Sequence, residues 1–228
     1  RDLRMSRGLG DVYKRQLHLS VHGWVNPLRL QKDSAMASMS DSYPVKQWYS
    51  DPQKNGTYLC KVGEYWWLNP AYPEVRQLVA DGVAEILAQY HVDGIHLDDY
   101  FYPTTETAFD AAAFADAKAD DLGAFRLEQV NAMVQQIYST VKAASPAIQL
   151  SISPQGTMDG NYTKQYADVR RWGTETGYCD VLIPQLYYGF ANETAPFAET
   201  LQTWTETVSS ESVSLVIGIG THKCGKED

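Results

Sequence analysis

Apolar and polar positions alternate through Leu17-His-Leu-Ser-Val-His-Gly-Trp24, and Asn26-Pro27 follows, so the pattern predicts a strand closed by a turn. Leu28 to Leu68 shows no sustained period and scatters Asp, Ser, Gly and Pro, which predicts a long irregular connection. From Pro73 to Tyr90 the apolar residues Val75, Leu78, Val79, Val83, Ile86 and Leu87 fall at helical spacing, with Pro73 at the start. Val92 to Leu97 is a short apolar strand, followed by a loop to about Asp120. Leu122 to Ala144 carries Leu127, Val130, Met133, Val134, Ile137 and Val141 on one helical face, and Pro146 stops it. Beyond it the pattern predicts strands at 148–153, 181–187 and 213–219, with helices at Tyr162–Glu175 and Pro196–Val208 between them.

Strands alternating with helices imply a parallel sheet with helical crossovers, either a closed barrel or a doubly wound sheet. A nucleotide-binding doubly wound sheet would carry a G-x-G-x-x-G turn after a strand, and none of these turns does. Polar and aromatic residues instead gather after the C-terminal ends of several strands, where barrel enzymes build their sites. The expected fold is therefore α/β, a part of a (β/α)₈ barrel.

The richest strand end is Asp93-Gly-Ile-His-Leu-Asp-Asp-Tyr-Phe-Tyr-Pro103. Successive strand residues face opposite ways, so Ile95 and Leu97 share the face toward the helices. His96 and Asp98 then point into the barrel, with Asp99 where the chain turns. Two adjacent carboxylates repel one another, and burial divides their acidities further. A divided pair supplies one protonated acid and one ionised partner, as glycosidic cleavage requires. The plainer reading is that Asp98 and Asp99 cap the next segment or hold a structural cation.

Other strand ends add His22, Trp24 and Asn26, then Ser153 and Gln155, then Gln185, Tyr187 and Tyr188. Tyr100 stands beside the carboxylates. Singly, each of these could be a core residue. Together they offer the amides, hydroxyls and rings that suit a neutral polyhydroxylated ligand. A metal centre built from His22, Asp98, Asp99 and His222 is the rival reading, but no H-x-H or H-E-x-x-H spacing supports it, and neither metal nor cofactor is expected.

Composition narrows the classes. At 228 residues, 44% hydrophobic and 21% charged, the chain has the size and balance of one globular domain. Its formal net charge of -9 argues against nucleic acid as a partner, and no apolar run is long enough for a membrane span. The 15 Tyr and 6 Trp are many for this length; core packing is the default reading, and ring faces also stack on sugars. Cys60, Cys179 and Cys224 form neither a zinc motif nor a disulfide framework.

Residues 1–16 do not fit this pattern. Asp11-Val-Tyr-Lys-Arg-Gln16 reverse-translates to GAT GTG TAT AAG AGA CAG, which resembles a transposase end used in sequencing-library preparation. The segment is expected to be foreign to the fold, with the barrel domain occupying 17–228.

Five stretches, in order, resemble the glycosyl-hydrolase-like family 10. They are His22-Gly-Trp-Val-Asn-Pro27, Trp67-Leu-Asn-Pro70 with Pro73-Glu-Val-Arg76, Val92 to Pro103, Ser151-Ile-Ser-Pro-Gln-Gly156, and Ile183-Pro-Gln-Leu-Tyr187. The family includes a divisome-localised glycosyl hydrolase of bacterial outer membranes. The resemblance implies a (β/α)₈ barrel acting on a carbohydrate polymer, in some members peptidoglycan strands stripped of their peptides. It implies a cell-envelope or secreted location, and it places Leu17–Trp24 at about the third barrel strand, so that the chain holds roughly strands three to seven and would be inactive alone. Arg126 and Asn131 match family positions in the helix before Ser151.

The Asp-Asp pair also looks like that of family 84 β-N-acetylglucosaminidases. By that similarity, Asp98 would orient a 2-acetamido group whose oxygen attacks the anomeric carbon, and Asp99 would be the acid. The family 18 chitinase arrangement would need a Glu where Tyr100 stands. Direct attack by Asp98 is the other enzymatic reading, and a glycan-binding pseudoenzyme of the same fold is the non-enzymatic one.

Overall fold

The computed structural model describes residues 19–223, together with 17 and 225. The expectation for residues 1–16, and Cys224, lie outside the described residues.

In chain order the elements begin with β1 (His22–Val25), β2 (Arg29–Lys32), α1 (Asp33–Ser38), α2 (Pro44–Ser50), β3 (Leu59–Val62) and β4 (Tyr65–Leu68). Next come α3 (Pro73–Gln89), β5 (Gly94–Leu97), α4 (Ala111–Ala117), α5 (Leu122–Ala144) and β6 (Gln149–Ile152). A short turn (Met158–Gly160) and a π-helical turn (Asn161–Gln165) lead to α6 (Val169–Thr174), β7 (Val181–Leu182), β8 (Gln185–Leu186), α7 (Phe197–Thr207), β9 (Ser214–Leu215) and β10 (Gly218–Ile219).

Five strands form one parallel sheet in the order β1-β5-β6-β7-β9, neighbours following one another along the chain as in a (β/α)₈ barrel. Each crossover runs through a helix on the same side, giving part of a (β/α)₈ barrel. The last two strands are interrupted. Pro184 has no N–H for the ladder, so β7 ends at Leu182 and pairing resumes as β8 against β10.

Alternation sorts the two faces. Ile95, Leu97, Leu150, Ile152 and Leu182 are fully buried and pack in one cluster with Val83 of α3, Val130, Val134 and Ile137 of α5, Trp172 of α6 and Trp204 of α7. On the opposite face the register lines up Trp24, His96, Ser151, Val181 and Ser214. Gly94 sits where this face is tightest. A Cβ there would lie 2.5 Å from the His22 ring and 2.9 Å from the backbone oxygen of Gln149. Gly94→Ala is expected to lower stability by about 1–3 kcal/mol, read as a lower urea midpoint with an unchanged slope.

Four expectations from sequence are corrected. The first strand starts at His22 rather than Leu17, because its partner β5 starts only at Gly94; the pairing is led in by Asp93 N–H donating to Val21 O at 2.7 Å. Residues 28–68 are not irregular. They hold α1, α2 and a three-stranded antiparallel sheet in the order β2-β4-β3, with the β3–β4 hairpin turning at Gly63, φ 61°. β2 (Arg-Leu-Gln-Lys) and β4 (Tyr-Trp-Trp-Leu) do not alternate cleanly between apolar and polar residues, so no period marks them. The loop after β5 contains α4 and a 3₁₀ turn at Thr107–Phe109. The helix expected at Tyr162–Glu175 is broken, since Tyr166 adopts φ 52° between the π-helical turn and α6.

Candidate functional site

The Asp98–Asp99 pair follows β5 at the C-terminal edge of the parallel sheet. Asp98 N–H donates to Val25 O at 3.2 Å, which fixes the backbone against β1. The Asp98 carboxylate accepts from the Asp99 backbone N–H at 2.9 Å and from Gln185 Nε2 at 3.1 Å. Gln185 Nε2 also donates to Ser153 O at 3.1 Å, so one amide ties the ends of three strands together. Asp99 lines one cavity with Gln165. Burial, then the adjacent Asp98 carboxylate, raise the Asp99 carboxyl to about 6, against the opposing pull of Gln165.

Asp99 opens on a cavity of about 310 Å³, lined by Trp67, Tyr100, Tyr102, Gln155, Lys164 and Gln165 among others. Trp67 and Tyr100 lie with ring centroids 6.1 Å apart, and the Arg29 guanidinium sits 4.0 Å above the Tyr100 ring. The antiparallel sheet therefore supplies one wall of this cavity, through Trp67 of β4.

A second cavity, about 550 Å³, lies on the polar face of the parallel sheet and is lined by His22, Trp24, His96 and Ser151 among others. His96 Nδ1 is 2.8 Å from Ser151 Oγ, and its ring meets Trp24 edge-on at 4.9 Å. Burial pulls the His96 imidazole below its usual acidity range, with Asp98 opposing. Trp24 is 68% exposed.

The residues singled out from sequence thus divide. Asp98 and Gln185 touch. Asp99, Tyr100 and Gln155 share the smaller cavity, while His22, Trp24 and His96 share the larger. Tyr187 is near enough to both carboxylates for their charges to raise its hydroxyl, after burial, and its ring stands 5.7 Å from His222. Ser153 is buried and spends its hydroxyl on Ile183 O at 2.9 Å. Tyr188 packs over Gly156, where a Cβ would meet its ring at 2.6 Å. Asn26 has a buried, unpartnered Oδ1 and lines neither cavity. Among the described residues, no three His, Cys, Asp or Glu side chains could hold a metal ion together.

Sequence reasoning did not single out Trp67, Lys164 or Gln165 for the site. Trp67 lay in a stretch read as irregular, and the other two in one read as a continuous helix.

No helix among the described residues is long and apolar enough to cross a membrane. The sequence is 29% identical to the glycosyl hydrolase YngK of Bacillus subtilis over 93% of this chain and 44% of that protein. It is 27% identical to the glycosyl hydrolase DigH of Escherichia coli K12 over 96% of this chain and 54% of that protein. The chain spans about half the length of the curated relatives it matches. Two solved structures share the fold. A Paenibacillus cycloisomaltooligosaccharide glucanotransferase superposes with TM-score 0.53 at 14% identity, over 87% of this chain and 26% of that one. The glycoside hydrolase domain of Pseudomonas aeruginosa PelA gives 0.51 at 10% identity, over 90% of this chain and 69% of that one. The family model for glycosyl hydrolase-like 10 matches residues 9–228, and with it the five stretches that carry the resemblance; the chain belongs to the glycosyl hydrolase-like 10 family.

Proposed function

We propose that this chain carries the catalytic centre of a glycoside hydrolase that cleaves bacterial glycan strands, with peptidoglycan as the substrate. The observation that carries this reading is the Asp98–Asp99 pair. Its two carboxyl groups follow one another at a strand end, Asp98 held by Gln185, and Asp99 is raised to about 6 beside a cavity with aromatic walls. Asp99 is then the acid that protonates the departing sugar oxygen. Asp98, held by Gln185, is the carboxylate that faces the charge developing at the anomeric centre. With a 2-acetamido sugar, Asp98 holds the acetamido nitrogen while the acetamido oxygen attacks. The relatives named glycosyl hydrolases support the reaction class. A glycan of this kind places the protein in the cell envelope or outside the cell.

The test is the pH dependence of turnover of purified glycan strands by the protein carrying this chain in a complete barrel. An acid must be protonated to act, so kcat/KM is expected to fall as pH rises through about 6. Binding of the strands with no release of reducing ends at any pH would identify a glycan-binding protein and overturn the hydrolase reading.

A further inference from the structure

We propose that Arg29 is a specificity-determining residue of the cleft. Its guanidinium, with the Lys164 ammonium as a second cation, receives a carboxylate carried by the bound sugar, so that the cleft selects an acidic glycan over a neutral one built of the same rings. This rests on the reading of the Asp99 cavity as the sugar site and narrows the substrate of that site.

The geometry starts in the antiparallel sheet. Arg29 of β2 stands directly opposite Trp67 of β4 in the ladder, and opposed residues of an antiparallel pair project from the same face. Trp67 lines the Asp99 cavity, so Arg29 is carried to the same side. There its guanidinium meets two rings, 4.0 Å from the centroid of Tyr100 and 5.5 Å from that of Tyr65. Tyr100 follows Asp99 in the chain and lines the cavity with it. Lys164 lines the same cavity from the π-helical turn after β6 and is exposed. The two cations thus come from different walls.

Both lack an anion. The chain has 28 Asp and Glu for 19 Lys and Arg, so a basic group easily finds an acidic one. Lys32 and Lys61, on the same sheet as Arg29, are paired with Glu64 and Asp33. Arg126 and Arg171 are paired with Asp110 and Glu128. Among the described residues, no carboxylate pairs with Arg29 or Lys164, and no protein oxygen accepts from the Arg29 guanidinium. The ring contacts hold that guanidinium by its charge and leave its N–H groups unused. A partly buried arginine held by two rings, with its fork of donors open, suits a planar two-oxygen acceptor, and a carboxylate matches it at two points. Asp98 and Asp99 repel an acidic ligand in the same cleft, and the two cations offset that repulsion. In a peptidoglycan strand the carboxylate belongs to the lactyl ether on every second sugar; in a uronic acid polymer it belongs to the ring itself.

The experiment measures affinity by calorimetry on the protein carrying this chain in a complete barrel, in an Asp99→Asn background so that turnover does not intervene. Four ligands are compared: glycan strands with free carboxyl groups, the same strands with those groups converted to primary amides, chitin oligosaccharides, and oligogalacturonate. The free strands are expected to bind about 10-fold more tightly than their amides or than chitin oligosaccharides, the worth of one charge-assisted contact. Arg29→Met should abolish that preference and leave chitin oligosaccharides unchanged. Arg29→Lys, which keeps the charge but loses the fork, should weaken the free strands about 3-fold, and Lys164→Met about 3-fold with an effect that shrinks as salt is added. Oligogalacturonate bound as tightly as the strands keeps the carboxylate assignment and makes a uronic acid its source. If Arg29 serves only to prop Tyr100, Arg29→Met weakens the free strands and the chitin oligosaccharides by the same factor, and that result overturns the inference, as does no change in either. Should Arg29→Met not fold, Arg29→Lys and Lys164→Met decide, and an unchanged preference in both overturns it. Selective binding without turnover by the protein that retains Asp99 leaves this inference standing and removes the hydrolase reading instead.

Discussion

Asp99→Asn is expected to lower turnover of glycan strands about 100- to 10,000-fold while leaving their affinity nearly unchanged. The amide keeps the shape of the carboxyl and its place beside Gln165 but cannot deliver a proton to the leaving oxygen, and general acid catalysis is worth about that factor. The same substitution should stabilise the fold above pH 6. The Asp99 carboxyl is raised from 3.8 to about 6 in the folded chain, chiefly by burial and by the Asp98 charge. Its ionisation therefore opposes folding. The cost is absent below about pH 4, grows as pH rises, and is complete above about pH 6. After solvent screening of this half-buried group, Asn should relieve about 1–2 kcal/mol at pH 7.5 and almost nothing at pH 4. Melting curves at the two pH values, beside turnover and binding assays, test both halves. Near wild-type turnover by Asp99→Asn, and by Asp98→Asn as well, would mean that these carboxylates are not the catalytic pair.

Arg126→Ala is expected to cost about 3–5 kcal/mol, because it leaves the Asp110 carboxylate buried without its cation. Both side chains are fully buried, and their two-point contact also holds the Tyr102 hydroxyl, which burial and the Asp110 charge push well above its usual range, so that it remains a donor. In a chain of this size the loss should lower the melting temperature by roughly 10 °C. Replacing both partners together, as Arg126→Met with Asp110→Leu, should recover much of the stability, since it removes both buried charges at once. Such a double variant would still lack the bonds to Thr105, Glu106 and Tyr166, so the melting temperature should return only in part. A single Arg126→Ala variant that melts like wild type would show that the pair does not secure the loop after β5.

Local pattern determined much of this protein. The period of two in Gly-Ile-His-Leu-Asp set which side chains of β5 face the helices, and Ile95 and Leu97 are fully buried there while His96 faces the cavity on the other side. The helical spacing of 73–90 and 122–144 gave α3 and α5 to within a residue, because each is long enough to bury a continuous apolar stripe. The family was legible in five short stretches, the most specific of them the strand that ends in the two carboxylates. Tertiary structure alone decided the rest. The antiparallel sheet of β2, β3 and β4 is made of four-residue strands, and it joins the β3–β4 hairpin to β2, more than 30 residues away in the chain. The break at Tyr166 depends on a hydrogen bond to Arg126, 40 residues away, against the helical tendency of the local sequence. Trp67, Lys164 and Gln165 reach the Asp99 cavity only through those two features. The acidity of Asp99 likewise comes from burial and from neighbours that the fold supplies, a property that no spacing of residues along the chain records.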